Sequence, residues 1–424
     1  MTRTALVGGQ VIDGSGGPAL LGGTVVIDGS KILEVGQGRE FGSETHVVDV
    51  IGMTVMPGLI DCHQHFGPWF QFLISQQEDT LMFLACKTVD FLRGSLESGC
   101  TTARDMGGLE AGFVKAVAKG LIPGPRLKTA LVIIQPTNGI TDNIPGIGSA
   151  VTPQGLYAGA PGIPSPWCNG PYQCRAKVRE TLRYGADFIK IANEGFPDAR
   201  YHADRPLFTQ EELGAIIDEA HRAGVPVSAH AYTQKAVMMV LRAGVDSIEE
   251  GCFLDQVCVD EMAKLGTWYV PCLSNPRHLA ELASDDRMRD WNKLVVEGNR
   301  RAFRLAMEAG VPIAMGTDSA YAVGETALEL KWMVEAGMST AEAIATSTGR
   351  AAQFLGVQDD VGILRAGREA DLLVIDGDPL RQIDLLADIG RLALVMQAGV
   401  GISGRMAHDL PQSVRRLPRR TMTV

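Results

Sequence analysis

From Pro57 to about Leu355, short apolar strands alternate with longer helical patterns, and this alternation restricts the fold more than any other feature. The strand candidates are "TVMPGLID", "GCTTARDM", "RLKTALVII", "ADFIKIAN", "VPVSAHAY", "VDSIEEG", "TWYVPCL" and "VPIAMGTD". Helical stretches such as "TQEELGAIIDEAHRAG" (209–224) and "TQKAVMMVLRAG" (233–244) separate several of them. Strands alternating with helices imply a parallel sheet, and eight such units imply a closed (β/α)8 TIM barrel over residues 57–356. Residues 1–56 and 357–424 read differently, as short strands broken by glycines: "TALVGGQVID", "GGTVVIDGSKILEVG", "EADLLVIDGDPL". The expectation is an α/β chain whose two β-rich ends pair into a small sandwich beside the barrel.

The 424 residues are enough for both units. A net charge of −10 argues against an electrostatic grip on nucleic acid or an anionic membrane. No apolar run approaches the roughly 20 residues a bilayer span needs. The N-terminus lacks the basic-then-apolar layout of a signal peptide, so the chain is read as cytoplasmic. The 8 cysteines are scattered rather than arranged as a disulfide framework. Cys168 and Cys174 are close neighbours flanked by turn residues, and the reading is two reduced thiols rather than a disulfide or metal clip.

One segment breaks the pattern. Residues 135–175, "QPTNGITDNIPGIGSAVTPQGLYAGAPGIPSPWCNGPYQC" and its flanks, form a Pro- and Gly-rich connection far longer than an ordinary βα loop. Connections of that length in compact domains are binding loops or lids when ordered. Tyr157, Trp167 and Tyr172 favour order.

In a barrel of this kind chemistry sits at the C-terminal ends of the strands. Strand one ends "LIDCHQH", and the spacing of His63 and His65 sends both side chains to one face. Lys190 lies inside the apolar run "FIKIAN", His230 closes "VSAHAY", and Asp318 ends "IAMGTDS". "GVDSIEEGCF" puts Glu249 and Glu250 side by side at the end of a buried strand, where a carboxylate is costly unless paired or bound to a cation. Each residue alone has an ordinary structural explanation. Together they place imidazoles, an amine and carboxylates at one rim, which is the chemistry of a metal site.

"MPGLIDCHQH", "GADFIKI", "VSAHAYT", "GVDSIEEG", "MGTDS" and "GREADLLVIDGDPL" resemble the amidohydrolase superfamily, and within it the prolidase-like and imidazolonepropionase-like metal-dependent hydrolases. The resemblance implies two divalent metal ions, zinc first with cobalt or manganese as alternatives. It implies that Lys190 is N6-carboxylated and bridges them. His63, His65 and Asp318 would hold one ion, and His230 the other together with a strand-six histidine. That histidine is replaced here by Glu250. A carboxylate is a competent hard ligand, so Glu250 is read as a metal ligand. The alternative is an acceptor that orients His230. Because neighbouring strand residues face opposite ways, only one of the two glutamates is expected in the site. Glu249 is expected to be structural, paired with a basic group outside the barrel.

The implied activity is hydrolysis of a C–N bond (amide, peptide or carbamate) by metal-activated hydroxide, with Asp318 as general base and then acid. Tyr232, two residues beyond His230, faces the same way and is read as a donor to the carbonyl oxygen rather than only a packed aromatic. Asn138 and His202 are candidate substrate contacts, His202 and Arg200 standing where they could meet a carboxylate. The aromatic, weakly charged long loop suggests a small apolar or aromatic N-acyl substrate. Alternatives are an Xaa-Pro-type dipeptidase or carboxypeptidase, a phenylurea or carbamate hydrolase, and a non-catalytic scaffold of the same fold. Mononuclear deamination is disfavoured by Lys190 and by Thr233 after "HAY". The resemblance also implies a homo-oligomer.

Overall fold

The computed structural model describes residues 3–38, 41–67, 80–140, 162–195, 205–282, 286–319, 324–408 and 410. The N-terminal segment contributes β1 (Arg3–Val11), β2 (Leu20–Asp28), β3 (Lys31–Gln37), β4 (Thr45–Asp49) and β5 (Thr54–Pro57). There follow β6 (Leu59–Gln64), β7 (Cys100–Asp105), β8 (Arg126–Thr129), β9 (Ile133–Ile134), β10 (Ile189–Ala192), β11 (Val227–Ala231), β12 (Ser247–Glu250) and β13 (Trp268–Val270). The chain ends through β14 (Leu372–Ile375), β15 (Leu392–Gln397) and β16 (Val400–Ser403).

β6, β7 and β8 form one parallel sheet, and β9 to β13 form a second. Their residues are almost uniformly buried, as expected for parallel strands covered by helices. Several covering helices carry the end signals their sequences advertise. Thr209 and Glu212 make a reciprocal capping box at the start of helix Gln210–Arg222, and Gly244 closes helix Gln234–Ala243 in the left-handed region at φ 93°. The architecture is α/β and TIM-barrel-like.

Two strand expectations change in detail. "RLKTALVII" is not one strand but two, β8 and β9, because Leu131 between them adopts φ 65° and breaks the pleat. "VPIAMGTD" runs between β13 and β6, with Ala314 N donating to Tyr269 O at 3.1 Å and Cys62 N donating to Met315 O at 2.9 Å. It forms isolated bridges at Ile313 and Ser319 rather than a continuous strand. There the buried Asp61 carboxylate takes up ladder groups itself, accepting from Thr317 N at 3.2 Å and Thr317 Oγ1 at 2.9 Å. Gly316 is required by this close approach, since a Cβ would lie 2.7 Å from His63 Cβ.

The chain ends meet edge to edge in a single eight-stranded sheet of order β16-β15-β14-β5-β1-β2-β3, with β4 also paired to β1. The junction is β5 against β14, antiparallel, Leu372 opposite Pro57. Of the long segment, residues 141–161, including Tyr157, lie outside the described residues. Its far end folds back: Trp167 bridges to Gln135, and Cys168 N donates to Gln135 O at 3.1 Å. Tyr172 is exposed. Cys168 and Cys174 are buried free thiols with sulfurs 3.4 Å apart. Among the described residues no helix is long and apolar enough to cross a membrane.

Candidate active site

His63 lies near the end of β6 and His65 just beyond it, and their i, i+2 spacing turns both rings toward Asp318, which comes from the segment lying between β13 and β6. The donor atoms of these three residues lie within 4.8 Å of one another. Asp318 Oδ1 is 3.3 Å from His63 Nε2 and 3.2 Å from His65 Nε2. The other ring nitrogens are spoken for: His65 Nδ1 donates to the carbonyl of Gly107 at 2.9 Å, and His63 Nδ1 to Glu249 Oε2 at 2.9 Å. Because a carbonyl and a carboxylate only accept, both rings carry the proton on Nδ1 and turn Nε2 toward Asp318.

Glu250 lies beside this trio and joins it to the neighbouring strands. Its Oε1 is 3.5 Å from His63 Nε2 and 3.6 Å from Lys190 Nζ, and its Oε2 is 2.8 Å from His230 Nδ1. The structure thus brings together His63, His65, Lys190, His230, Glu250 and Asp318. Tyr232 stacks obliquely on His230 with ring centroids 4.6 Å apart. Asn138 sits in the left-handed region at φ 62°, and its carbonyl accepts from Arg205 Nη2 at 3.4 Å. His202 and Arg200 lie outside the described residues.

The expectation for Glu249 needs correction. It does not pair outside the barrel. Its basic partner Arg104, on β7, is itself buried, and Arg104 Nη2 donates to Glu249 Oε1 at 2.8 Å while Glu249 Oε2 meets His63. Both glutamates therefore reach the site. The reason is local: Glu250 adopts φ 61°, which breaks the strict alternation assumed for two successive strand residues. Tyr269 Oη locks that bend by donating to Glu250 O at 3.0 Å. Gly251 follows at φ 50°, where a Cβ would lie 2.8 Å from the Tyr269 ring.

The charges are arranged to persist. Burial works against ionising Glu249, yet Arg104, His63 and Lys190 hold its carboxyl well below the usual range. Asp318 is likewise depressed against burial, by the two histidines. Burial and Lys190 oppose charge on His63, but Asp318 and Glu249 outweigh them and raise its pKa to about 9, so the carboxylates favour positive charge at Nε2 and a bound dication would take the place of that proton. Burial, with Cys252, Glu250 and Asp318, raises the Tyr232 phenol well above its ordinary value, so it remains an O–H donor.

Two buried atoms test whether this donor set fits a cation. His63 Nε2 and Lys190 Nζ make no hydrogen bond although both residues are almost wholly buried. Both face carboxylates at 3.3–3.6 Å without a hydrogen bond, which is costly for buried polar atoms, and a bound dication with a carbamate on the amine would satisfy both. The residues fit a divalent metal centre.

Several contributors carried no readable signal in the sequence. Arg104 sits in "GCTTARDM", where an arginine in a strand normally marks an edge. Glu194 Oε2 accepts from Tyr232 N at 2.7 Å and Thr233 N at 2.9 Å and so fixes the "HAY" turn. Asn275 Nδ2 donates to Asp318 Oδ2. Each acts across more than thirty residues of chain, beyond the reach of local pattern.

Known proteins place the geometry. A profile described as the amidohydrolase family matches residues 54–401. Ochratoxinase of Aspergillus niger is 31% identical over 425 residues, covering 93% of this chain and 86% of the relative. A crystal structure of an Xaa-Pro dipeptidase with bound methionine superposes with a TM-score of 0.83 at 30% identity, covering 95% of this chain and 100% of the other. The A. niger ochratoxinase crystal structure gives a TM-score of 0.82 at 28% identity, over 95% and 96% of the two chains. With a family match across most of its length and a relative of this identity aligned over 93% of it, the chain belongs to the amidohydrolase family, hydrolases acting on C–N bonds.

Proposed function

We propose that this hydrolase cleaves the amide, peptide or carbamate bond of a small, apolar or aromatic N-acyl substrate. The observation that carries the reading is the convergence of His63, His65 and Asp318 within 4.8 Å, with Lys190, His230 and Glu250 alongside. His63, His65 and Asp318 would hold one divalent ion and His230 with Glu250 a second, zinc first, cobalt or manganese next. Lys190, N6-carboxylated, would bridge them. The chemistry such ions supply is Lewis-acid polarisation of the carbonyl and of water.

Asp318 takes the proton of the attacking water and returns it to the leaving nitrogen. Its depressed pKa keeps it ionised for the first transfer, and Asn275 holds one oxygen so that the other faces the histidines. Tyr232 donates to the carbonyl oxygen as negative charge develops there. Asn138 is taken as a substrate contact, and the same role for His202, which lies outside the described residues, rests on the sequence alone. Glu250 replaces an imidazole with a carboxylate, which favours harder ions at the second position.

The same reading takes the parallel strands as one closed (β/α)8 barrel, 57–356, beside a composite β-sandwich of 1–56 and 357–424. It places the enzyme in the cytoplasm, consistent with eight free thiols, as a homo-oligomer. An Xaa-Pro dipeptidase is the second reading, favoured by the 30% identity to a structure of that description over 95% of this chain.

The test is a panel of N-acyl-phenylalanine, phenylurea, carbamate and Xaa-Pro compounds after reconstitution with zinc, cobalt or manganese. Expected are about two metals per chain, a carbamate at Lys190, turnover of the aromatic amides, and loss of activity on chelation with recovery on metal return. Turnover restricted to Xaa-Pro compounds selects the dipeptidase reading. Full activity in metal-free protein ends both.

A further inference from the structure

Glu249 and Arg104 are buried charges that the proposed chemistry does not use. Glu249 meets the cluster through His63 alone, and Arg104 meets it through Glu249 and the carbonyl before His63, so both converge on His63. Arg104 is flanked by the rings of Phe188 and Phe354, its guanidinium carbon 4.9 and 4.5 Å from their centroids. Its Nε donates to Cys62 O at 2.5 Å, the carbonyl just before His63, and its Nη2 donates to Glu249 Oε1 at 2.8 Å. Ser247 Oγ donates to the same Glu249 oxygen at 2.6 Å. The other Glu249 oxygen accepts from His63 Nδ1. One guanidinium therefore grips the backbone entering His63 and the carboxylate that holds its ring.

An ion pair this deep is poorly explained by stability, since well-packed apolar residues of similar size commonly do as well. Its two routes to one imidazole give it a direction. From this geometry we infer that Arg104 and Glu249 are positioning residues that set the tautomer and aim of His63, keeping the proton on Nδ1 and presenting Nε2 to a divalent ion. The adjacent glutamates thus divide the labour: Glu249 orients a donor while Glu250 faces the ions. The inference rests on the reading of His63 as a metal ligand.

The experiment uses full-length protein carrying Arg104→Met with Glu249→Leu, a pair of changes that leaves neither charge alone. Zinc affinity is measured by chelator competition, and the His63 tautomer by 15N NMR of imidazole-labelled protein. In the wild type, the His63 signal reports Nδ1–H with zinc on Nε2. In the double variant that signature is lost and the dissociation constant of the tighter zinc rises about 10–100-fold, the range for loss of a group orienting a ligand. If the double variant does not fold, Arg104→Lys and Ser247→Ala, each keeping Glu249, are expected to weaken zinc by about 3–10-fold. Unchanged affinity and tautomer in whichever variants fold overturn the inference while leaving the metal reading intact. A wild type that binds no divalent ion overturns the metal reading, and this inference with it.

Discussion

Asp318 and Glu250 occupy backbone that side chains rarely adopt, at φ 55° and 61°. Strain of this kind is held only where surrounding contacts over-determine it, and it gathers at functional sites. For Asp318 the holding contacts are its N–H to His63 O at 2.7 Å and the Asn275 bond to its carboxylate. Asn tolerates the left-handed region and a β-branched residue does not. Asp318→Asn is therefore expected to keep stability within about 1 kcal/mol while lowering kcat by about 10²–10⁴, the contribution of a positioned proton-transfer group. Asp318→Val should lose the same activity and cost a further 1–3 kcal/mol or so in urea unfolding. Equal stability of the two variants would remove the backbone argument. At this scale the sequence picked out side chains that the structure brings together, because donor chemistry is a property of residue type. It misplaced Glu249, because which way a strand-end side chain points depends on a φ that residue type does not specify.

Loops after the strands show how elements brace the site. Beyond β13, Leu273 N and Ser274 N each donate at 2.7 Å to the carboxyl of Glu329, which lies on helix Glu325–Glu335 and is wholly buried. Burial outweighs those bonds and raises its pKa from 4.5 to about 7. The folded protein thus holds this proton more tightly than the unfolded chain. Stability from this group is complete below pH 4.5 and is lost as pH rises toward about 7. Relative to Glu329→Gln, which cannot titrate, the wild type should lose up to about 3 kcal/mol between pH 5 and 8 in denaturant unfolding. A constant difference across that range would contradict the assignment. The alternating pattern revealed that strands and helices exist and in what order. It did not reveal that strand three breaks at Leu131 or that Asp61 substitutes for ladder bonds near Thr317, because both follow from tertiary hydrogen bonding.

At the scale of the whole molecule, the C-terminal segment is tied to β8 through Asp371. Asp371, just before β14, receives Arg126 Nε at 2.9 Å and Nη2 at 3.2 Å from β8, and Ala398 N at 2.6 Å. Asp371→Ala removes a bidentate pair and strands a backbone donor. A loss of about 2–3 kcal/mol is expected in chemical unfolding, with kcat per folded molecule unchanged because the site lies on other elements. A variant as stable as wild type would show the tie to be incidental. The primary sequence determined by itself the α/β alternation, the β character of both ends, and the donor types crowded at the strand ends. Periodicity and ligand chemistry are local and are written residue by residue. That the ends pair was legible, but their edge-to-edge joining through β5 and β14 into one sheet, the contact of Arg104 with Glu249, and the inward turn of both glutamates were decided only in three dimensions. They rest on hydrogen bonds and burial between residues far apart in the chain, which no local pattern encodes.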